Sequence, residues 1–327
     1  MRLIPAWFIV GITVAVARAD TLWLTTSTGS TIETGEATIT RIEGDKLFFT
    51  SVGNEASREI AQVARISLPD DPGFTAAEEA YAKGDWGAAS DGYQTTLRTP
   101  TRPWMKDWSA RRLSDAAVKA GRFDAAVSAY IALVQTRPEL AMKSRPALPP
   151  GPSPALDSGA KQLEEALNGS GLGDAQRQAL LMFLFDVQES RADAPAAGAV
   201  ADRLLGEDIH SVEPRIVGRL KLALATKELA QNDPAAAAKT IEQSKDIFVD
   251  PPQQTEALFL TAEAKYAQAK SSDSLKEAAL AYMRVVAHGK DQPTPRINQA
   301  LLKTADILET LKDESGAARL RAAAKVQ

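Results

Sequence analysis

The sequence contains no cysteine and only two histidines, His210 and His288, in 327 residues. Without cysteine there is no disulfide framework, no thiolate zinc site, no cysteine nucleophile and no acylated lipoprotein cysteine. Two histidines leave little for imidazole metal ligation or acid–base chemistry. Neither sign of charge dominates: 38 Lys+Arg face 42 Asp+Glu. A nucleic-acid partner held by phosphate neutralisation is therefore not expected. Long apolar runs are missing after the N-terminus, because charges at helical spacing break every later stretch. A chain of this length buries enough apolar surface to fold without covalent or metal staples. These absences point away from an enzyme and toward an interaction protein that uses no cofactor.

One apolar run is present. Met1-Arg2 precedes an apolar segment from Leu3 to Val16, and Ala17-Arg18-Ala19 then offers small residues at both positions read by a signal peptidase. The run is about 14 residues, short of the roughly 20 needed to span a bilayer. Residues 1–19 are expected to be a signal peptide cut before Asp20, an uncleaved anchor being the alternative. Removal takes Arg2 and Arg18, and 38 less these two leaves 36 basic against 42 acidic side chains. The expected product is exported, periplasmic or secreted, mildly acidic and without an integral membrane span.

Composition then changes once along the chain. Residues 20–70 hold four alanines, whereas residues 72–327 hold 50. The alanine-poor stretch is rich in Thr, Ile, Leu and Phe, which suit a pleated, half-buried surface. Five short strands are expected, at Thr21–Thr25, 37–42 with Ile39 and Ile42 as anchors, 46–50, 58–60 and 64–68. Turns fall at Gly29-Ser30, Glu43-Gly44-Asp45 and Gly53-Asn54. So many short strands in about fifty residues imply a small, strongly bent barrel. Their order resembles Sm-like barrel modules. One of Phe48 and Phe49 must face inward, which leaves no aromatic platform and favours a structural adaptor.

From Phe74 onward the pattern is helical and repeats. Ala110, Leu113, Ser114, Ala117 and Val118 lie on one helical face, Gly121-Arg122-Phe123 forms a turn, and Ala126, Tyr130 and Leu133 lie on the next helix. The same turn, alanine and aromatic recur 37 positions earlier at Gly84-Asp85-Trp86, Ala89 and Tyr93. Together with Pro138, these residues resemble the tetratricopeptide repeat. Farther on, Asp193, Asp233, Asp273 and Asp313 fall at intervals of 40, each in a polar break followed by alanines. Helices are expected at 173–191 with 195–206, 213–231 with 234–247, 253–270 with 274–288, and 295–312 with 315–325. Five prolines between Arg145 and Pro154 exclude a helix there.

The expected fold is therefore mainly α, an α-α superhelical solenoid of such hairpins preceded by the small β-barrel. Its segments are 1–19 signal, 20–70 β module, 72–138 two hairpins, 139–155 a proline-rich linker, and 156–327 one helix plus four degenerate hairpins.

Little of the chain reads as chemistry. The glycine run from Gly169 to Gly173 follows a helix rather than a strand, so it is an interhelical loop and not a phosphate cradle. His210 sits in a loop, and His288 ends a helix before Gly289. Glu78 and Glu79 point to different sides of a helix. One cluster stands out: Arg98, Arg102, Trp104, Lys106, Trp108, Arg111 and Arg112 interleave cations with tryptophans. It either binds a ligand or seals the junction between two hairpins.

In tetratricopeptide proteins the first helices line a concave peptide groove. The resemblance puts Trp108, Arg111, Arg112, Asp115 and Lys119 at groove positions, with Asp115 where carboxylate-clamping versions carry asparagine. The expected function is a non-enzymatic scaffold or adaptor of the cell envelope that takes a protein or peptide partner. Trp104, Trp108, Arg111, Arg112, Asp115 and Lys119 would contact that partner. A carbohydrate- or cell-wall-binding protein using Trp104 and Trp108 is the second expectation.

Overall fold

The computed structural model describes residues 19–207, 213–289 and 295–325. Most of the expected signal peptide and His210 lie outside the described residues. The chain divides into two compact units, residues 1–133 and 134–327. It is mainly helical, with two small three-stranded antiparallel sheets near its N-terminal end.

In the first unit the strands are β1 (Thr21–Thr25), β2 (Thr31–Glu33), β3 (Ala37–Glu43), β4 (Lys46–Ser51), β5 (Asn54–Glu59) and β6 (Val63–Ser67). They form two sheets of order β2-β1-β6 and β3-β4-β5, which meet at a bridge between Asp20 and Ala37. Among the described residues no pairing of β5 with β6 closes the expected barrel. Ile39 and Ile42 are both buried, although an odd spacing should place them on opposite faces of a regular strand. A register shift between Ile39 and Arg41 reconciles the two, because a bulge inserts one residue and returns the side chain inward. Phe49 faces the core, while Phe48 lies half-exposed under the Arg41 guanidinium at 4.0 Å.

Helices α1 (Pro72–Lys83), α2 (Trp86–Arg98) and α3 (Pro103–Lys119) follow, and the boundary between the units falls within α4 (Phe123–Thr136). A single apolar cluster joins Leu22, Leu47 and Ile66 of the strands to Phe74, Tyr93, Trp108 and Leu113 of the helices. The β module and the first helices thus share one core. Helix α3 buries Trp104, Met105, Trp108, Ser109, Ala116 and others in addition to the single expected face. It packs on α2 and on β3 together.

The second unit holds α5 (Pro138–Lys143), α6 (Pro154–Leu167), α7 (Asp174–Ser190), α8 (Ala194–Leu205), α9 (Pro214–Ala230), α10 (Pro234–Gln243), α11 (Pro251–Gln268), α12 (Ser272–His288), α13 (Pro295–Thr310) and α14 (Glu314–Ala324). The short α5 occupies part of the segment expected to be linker, since Pro138 starts a helix where it was expected to stop one. Proline is tolerated in the first turn because its missing N–H has no partner there anyway, and Pro154, Pro214, Pro234 and Pro251 do the same. Consecutive hairpins pack side by side, α8 on α9, α10 on α11 and α12 on α13.

Five hairpin turns share one backbone solution. Gly84, Gly121, Ala192, Asn232 and Lys312 are all left-handed, with φ of 76°, 70°, 57°, 61° and 66°. After each, the next backbone N–H reaches back to a carbonyl in the preceding helix: Asp85 to Ala80, Arg122 to Ala117, Asp193 to Gln188, Asp233 to Glu228 and Asp313 to Leu308, at 2.7 to 3.2 Å. These are the reverse bonds that close a helix C-terminus. Asp85, Asp193, Asp233 and Asp313 then cap the following helix through a carboxylate oxygen. The α11–α12 turn departs from this form: Ala269 is extended and Ser271 is the cap. Asp273 therefore sits in the first turn of α12 and not in the break where its spacing suggested.

The helices of a hairpin also approach closely. A Cβ on Gly92 of α2 would lie 2.6 Å from the Ala77 Cβ of α1, so only glycine fits that crossing. Two outcomes follow from the turns. Lys312→Gly is expected to raise stability by about 0.5–1 kcal/mol, since a side chain there opposes the left-handed conformation. Gly84→Ala should lower it by about 1 kcal/mol. Urea melts of the two variants test the pair, and equal midpoints for both would refute the shared-turn account.

Candidate functional site

The densest polar cluster in the first unit is built on Glu78, a residue of α1 whose relative exposure is 1%. Its Oε2 accepts the Ile66 backbone N–H of β6 at 2.7 Å. Its Oε1 accepts the Trp108 indole N–H at 2.7 Å and the Tyr93 hydroxyl, and Arg112 Nε stands 3.9 Å away. Four elements (α1, α2, α3 and β6) thus converge on one carboxyl group. Burial pushes the Glu78 carboxyl above the ordinary carboxylate range, opposed by the Arg112 guanidinium and by the three donors. Burial beside this acid also raises the Tyr93 hydroxyl.

The guanidinium of Arg112 is held between the rings of Tyr81 and Trp108, 4.3 and 4.7 Å from their centroids. It donates to the Val63 and Ala64 carbonyls at 2.8 and 3.1 Å. Arg111 donates to the Gly44 carbonyl at 2.7 Å and to Asp45 at 3.1 Å, in the β3–β4 turn. Arg102 bonds the buried Asp20 at 2.7 Å and holds Asp70 with two bonds of 2.9 Å. Three arginines at the start and middle of α3 therefore clamp the β module at three separate places.

This placement corrects the expected partner contacts. Trp104 and Trp108 are core residues, 4% and 1% exposed, and Trp104 packs edge-on against Phe74 with centroids 5.9 Å apart. Neither indole face is open to a peptide or a sugar, so the carbohydrate reading loses both of its aromatic surfaces. Arg111 and Arg112 are engaged with the β module and do not face a groove. Asp115 accepts the Tyr81 hydroxyl and pairs with Lys119 at 2.7 Å, and Lys119 lies 4.3 Å from the Trp86 ring centroid. The cations and tryptophans seal a junction, the second of the two roles their spacing allowed. That junction joins helices to strands rather than one hairpin to another. Glu78 is buried and Glu79 exposed, but nothing in their spacing singles out Glu78. Its carboxyl becomes a hub only because residues 12 to 34 positions away fold against it.

A concavity with solvent access lies in the second unit. It measures about 420 Å³ and is lined by Glu189, Asp193, Arg219, Thr226, Glu256 and Arg296, among others. Its walls are α7, α9, α11 and α13, the first helices of successive hairpins, with the α7–α8 turn and the first turn of α8 at Ala194 and Ala197. Ion pairs cross between neighbouring helices. Arg219 holds Asp186 at 2.8 Å together with Glu189, and Arg296 holds Glu256 through bonds of 2.6 and 2.7 Å. Arg219 and Arg296 also lie over Phe185 and Phe259, at 5.2 and 4.4 Å. Burial raises the Glu189 carboxyl, with Arg219 acting against it. Among the described residues no three His, Cys, Asp or Glu side chains are grouped to hold a metal ion, and no helix is long and apolar enough to cross a membrane.

The sequence matches no protein-family model and no curated protein. Among solved structures it is similar to BtubC (BKLC) from P. vanneervenii, with a TM-score of 0.42 and 14% identity, covering 77% of this chain and 90% of that one.

Glu78→Gln is expected to cost about 3 kcal/mol. It sets an amide N–H₂ against either the Ile66 N–H or the Trp108 and Tyr93 donors. The folded state holds the Glu78 proton more tightly than the unfolded chain does. Its contribution is greatest below the ordinary carboxylate range and is lost as pH rises through the raised value. Urea melts at stepped pH should show the gap between wild type and Glu78→Gln narrowing with rising pH. A gap that widens would mean that the ionised form is the favoured one.

Proposed function

We propose that this chain is a non-enzymatic interaction scaffold of the tetratricopeptide type, taking a protein or peptide partner on the first-helix groove of its second unit. The observation that carries this reading is the groove itself, where paired charges line one face across four successive hairpins. Arginines already stacked on Phe185 and Phe259 present preorganised donors. An incoming acidic or basic side chain can exchange with one member of a pair without leaving a buried charge alone. The shared left-handed turns and the glycine crossing between α1 and α2 support the repeat assignment, as does the agreement of the later helices with a period near 40.

The β module is an adaptor in this reading. It leans on Glu78, on Arg111 and Arg112 of α3 and on Arg102 just before that helix, which supports a module fixed to the first helices and not a separate binding domain. Export to the envelope is part of the same proposal, supported by the charged, apolar and small-residue segments at 1–19.

Affinity capture from the host envelope fraction, compared between wild type and Arg219→Ala/Arg296→Ala, tests the groove. Proteins retained by wild type should be lost from the double variant, as truncating charged groups at an interface costs about 2 kcal/mol or more. An unchanged set of captured proteins, with circular dichroism showing a folded variant, would reject the groove as the contact surface.

A further inference from the structure

The first-helix groove of the second unit does not treat the two signs of charge alike. Its lining carries three acids, Glu189, Asp193 and Glu256, against two cations, Arg219 and Arg296. The arginines have partners to spare. Arg219 holds Asp186 at 2.8 Å besides Glu189, and lies over the Phe185 ring. Arg296 donates to the Gln299 side chain at 2.7 Å besides Glu256, and lies over the Phe259 ring. The acids have no such reserve. Among the described residues Glu189 pairs with Arg219 and with no other cation, and Glu256 with Arg296 and with no other. Asp193 has only Arg191, at 3.7 Å, and that guanidinium stands closer to Asp157, at 2.8 Å.

Exchange with an incoming side chain is therefore lopsided. A basic group that takes Glu189 leaves Arg219 on Asp186, and one that takes Glu256 leaves Arg296 on Gln299 and its ring. An acidic group that takes either arginine removes the one counter-ion of a half-exposed carboxylate. Losing a sole counter-ion costs more than losing one of several. The ion pairs of the α7 wall give the same sign. There Arg145, Arg191 and Arg219 serve Asp157, Asp186, Glu189 and Asp193, three cations to four acids.

The chain itself shows one form that an occupant can take. Arg145 opens the proline-rich stretch between α5 and α6, which has neither helix nor strand from Arg145 to Pro150. Prolines hold such a stretch extended. From it Arg145 reaches Asp186 of α7 at 2.5 Å, so the α7 wall already receives a guanidinium from an extended backbone.

We propose that the first-helix groove takes a basic, extended segment of the partner, with arginine side chains at Glu189 and Glu256 and with Asp193 adding to the attraction. The donors that Arg219 and Arg296 release in the exchange then meet carbonyls of the extended backbone, so both arginines are still needed for capture. This inference rests on the groove reading above and adds the sign of the partner's charge.

Three labelled peptides of about ten residues, spaced with proline to stay extended, test it against the full chain by fluorescence anisotropy. They carry arginines, glutamines or glutamates at the same positions. The arginine peptide should bind at least about tenfold tighter than either of the others. Glu189→Gln/Glu256→Gln should remove most of that advantage. Glu33→Gln/Glu36→Gln, at exposed acids of the β module and with the same change in net charge, should leave it intact. Asp193→Asn keeps a helix cap and should weaken the arginine peptide severalfold, which supplies a reading where the double groove variant does not fold. A preference for the glutamate peptide would overturn the inference while leaving the groove reading to the capture test. Equal weakening by the β-module variant would overturn it as well, since the attraction would then be to the acidic chain as a whole. So would the absence of binding by any peptide at millimolar concentration. Failure of the groove reading shows separately, as an unchanged set of captured proteins in Arg219→Ala/Arg296→Ala.

Discussion

Everything in the first unit depends on a carboxyl group that water does not reach. Glu78 projects from α1 to where α2, α3 and β6 meet, and each of these three elements supplies it with a donor or a charge. A buried acid left alone would be costly, so the surrounding elements can adopt only arrangements that satisfy it. This constraint selects more than it stabilises. Apolar packing between strands and helices would tolerate small slides. The Ile66 N–H and the Trp108 indole reach the same carboxyl group only in one relative position. Arg112 extends the constraint, since its guanidinium is stacked between two rings and bonded to two carbonyls of the β module.

The two units solve the helix-joining problem in the same way and then diverge in use. A left-handed residue and a reverse bond recur at five turns between Gly84 and Lys312, whatever the residue at the left-handed position, and an aspartate cap follows at four of them. The backbone geometry is what repeats, and glycine is only its least strained occupant. In the first unit the first helices turn their charges inward to fix the β module. In the second unit the corresponding helices keep theirs on an open face, paired across the gaps between hairpins. The same kind of residue, an arginine over an aromatic ring, seals a core in one place and lines a groove in the other.

The later hairpins were largely legible. The alanine-rich stretches after Asp193, Asp233 and Asp313 and the prolines at helix starts placed α7 to α14 within a few residues, because capping and helix-breaking chemistry is local. The α11–α12 turn was misplaced, since Ser271 competes with Asp273 as a cap and only backbone geometry decides between them. The strand set lacked β2, a three-residue exposed strand with no hydrophobic period to betray it. The expected barrel became two sheets because closure depends on edge pairing, which no single strand encodes.

The binding residues show where sequence reading stops. A run of cations and tryptophans along one helix has the same spacing whether it faces solvent or another domain. The sequence by itself determined that α3 is a helix, that Trp104, Trp108, Arg111 and Arg112 crowd together, and that the chain has few reagents for catalysis. Only the tertiary structure decided that this cluster faces the β module, that Glu78 is its centre, and that an open groove lies on α7, α9, α11 and α13. The reason is physical. Helical periodicity and capping act over a few residues, while burial depends on partners that lie tens of residues away.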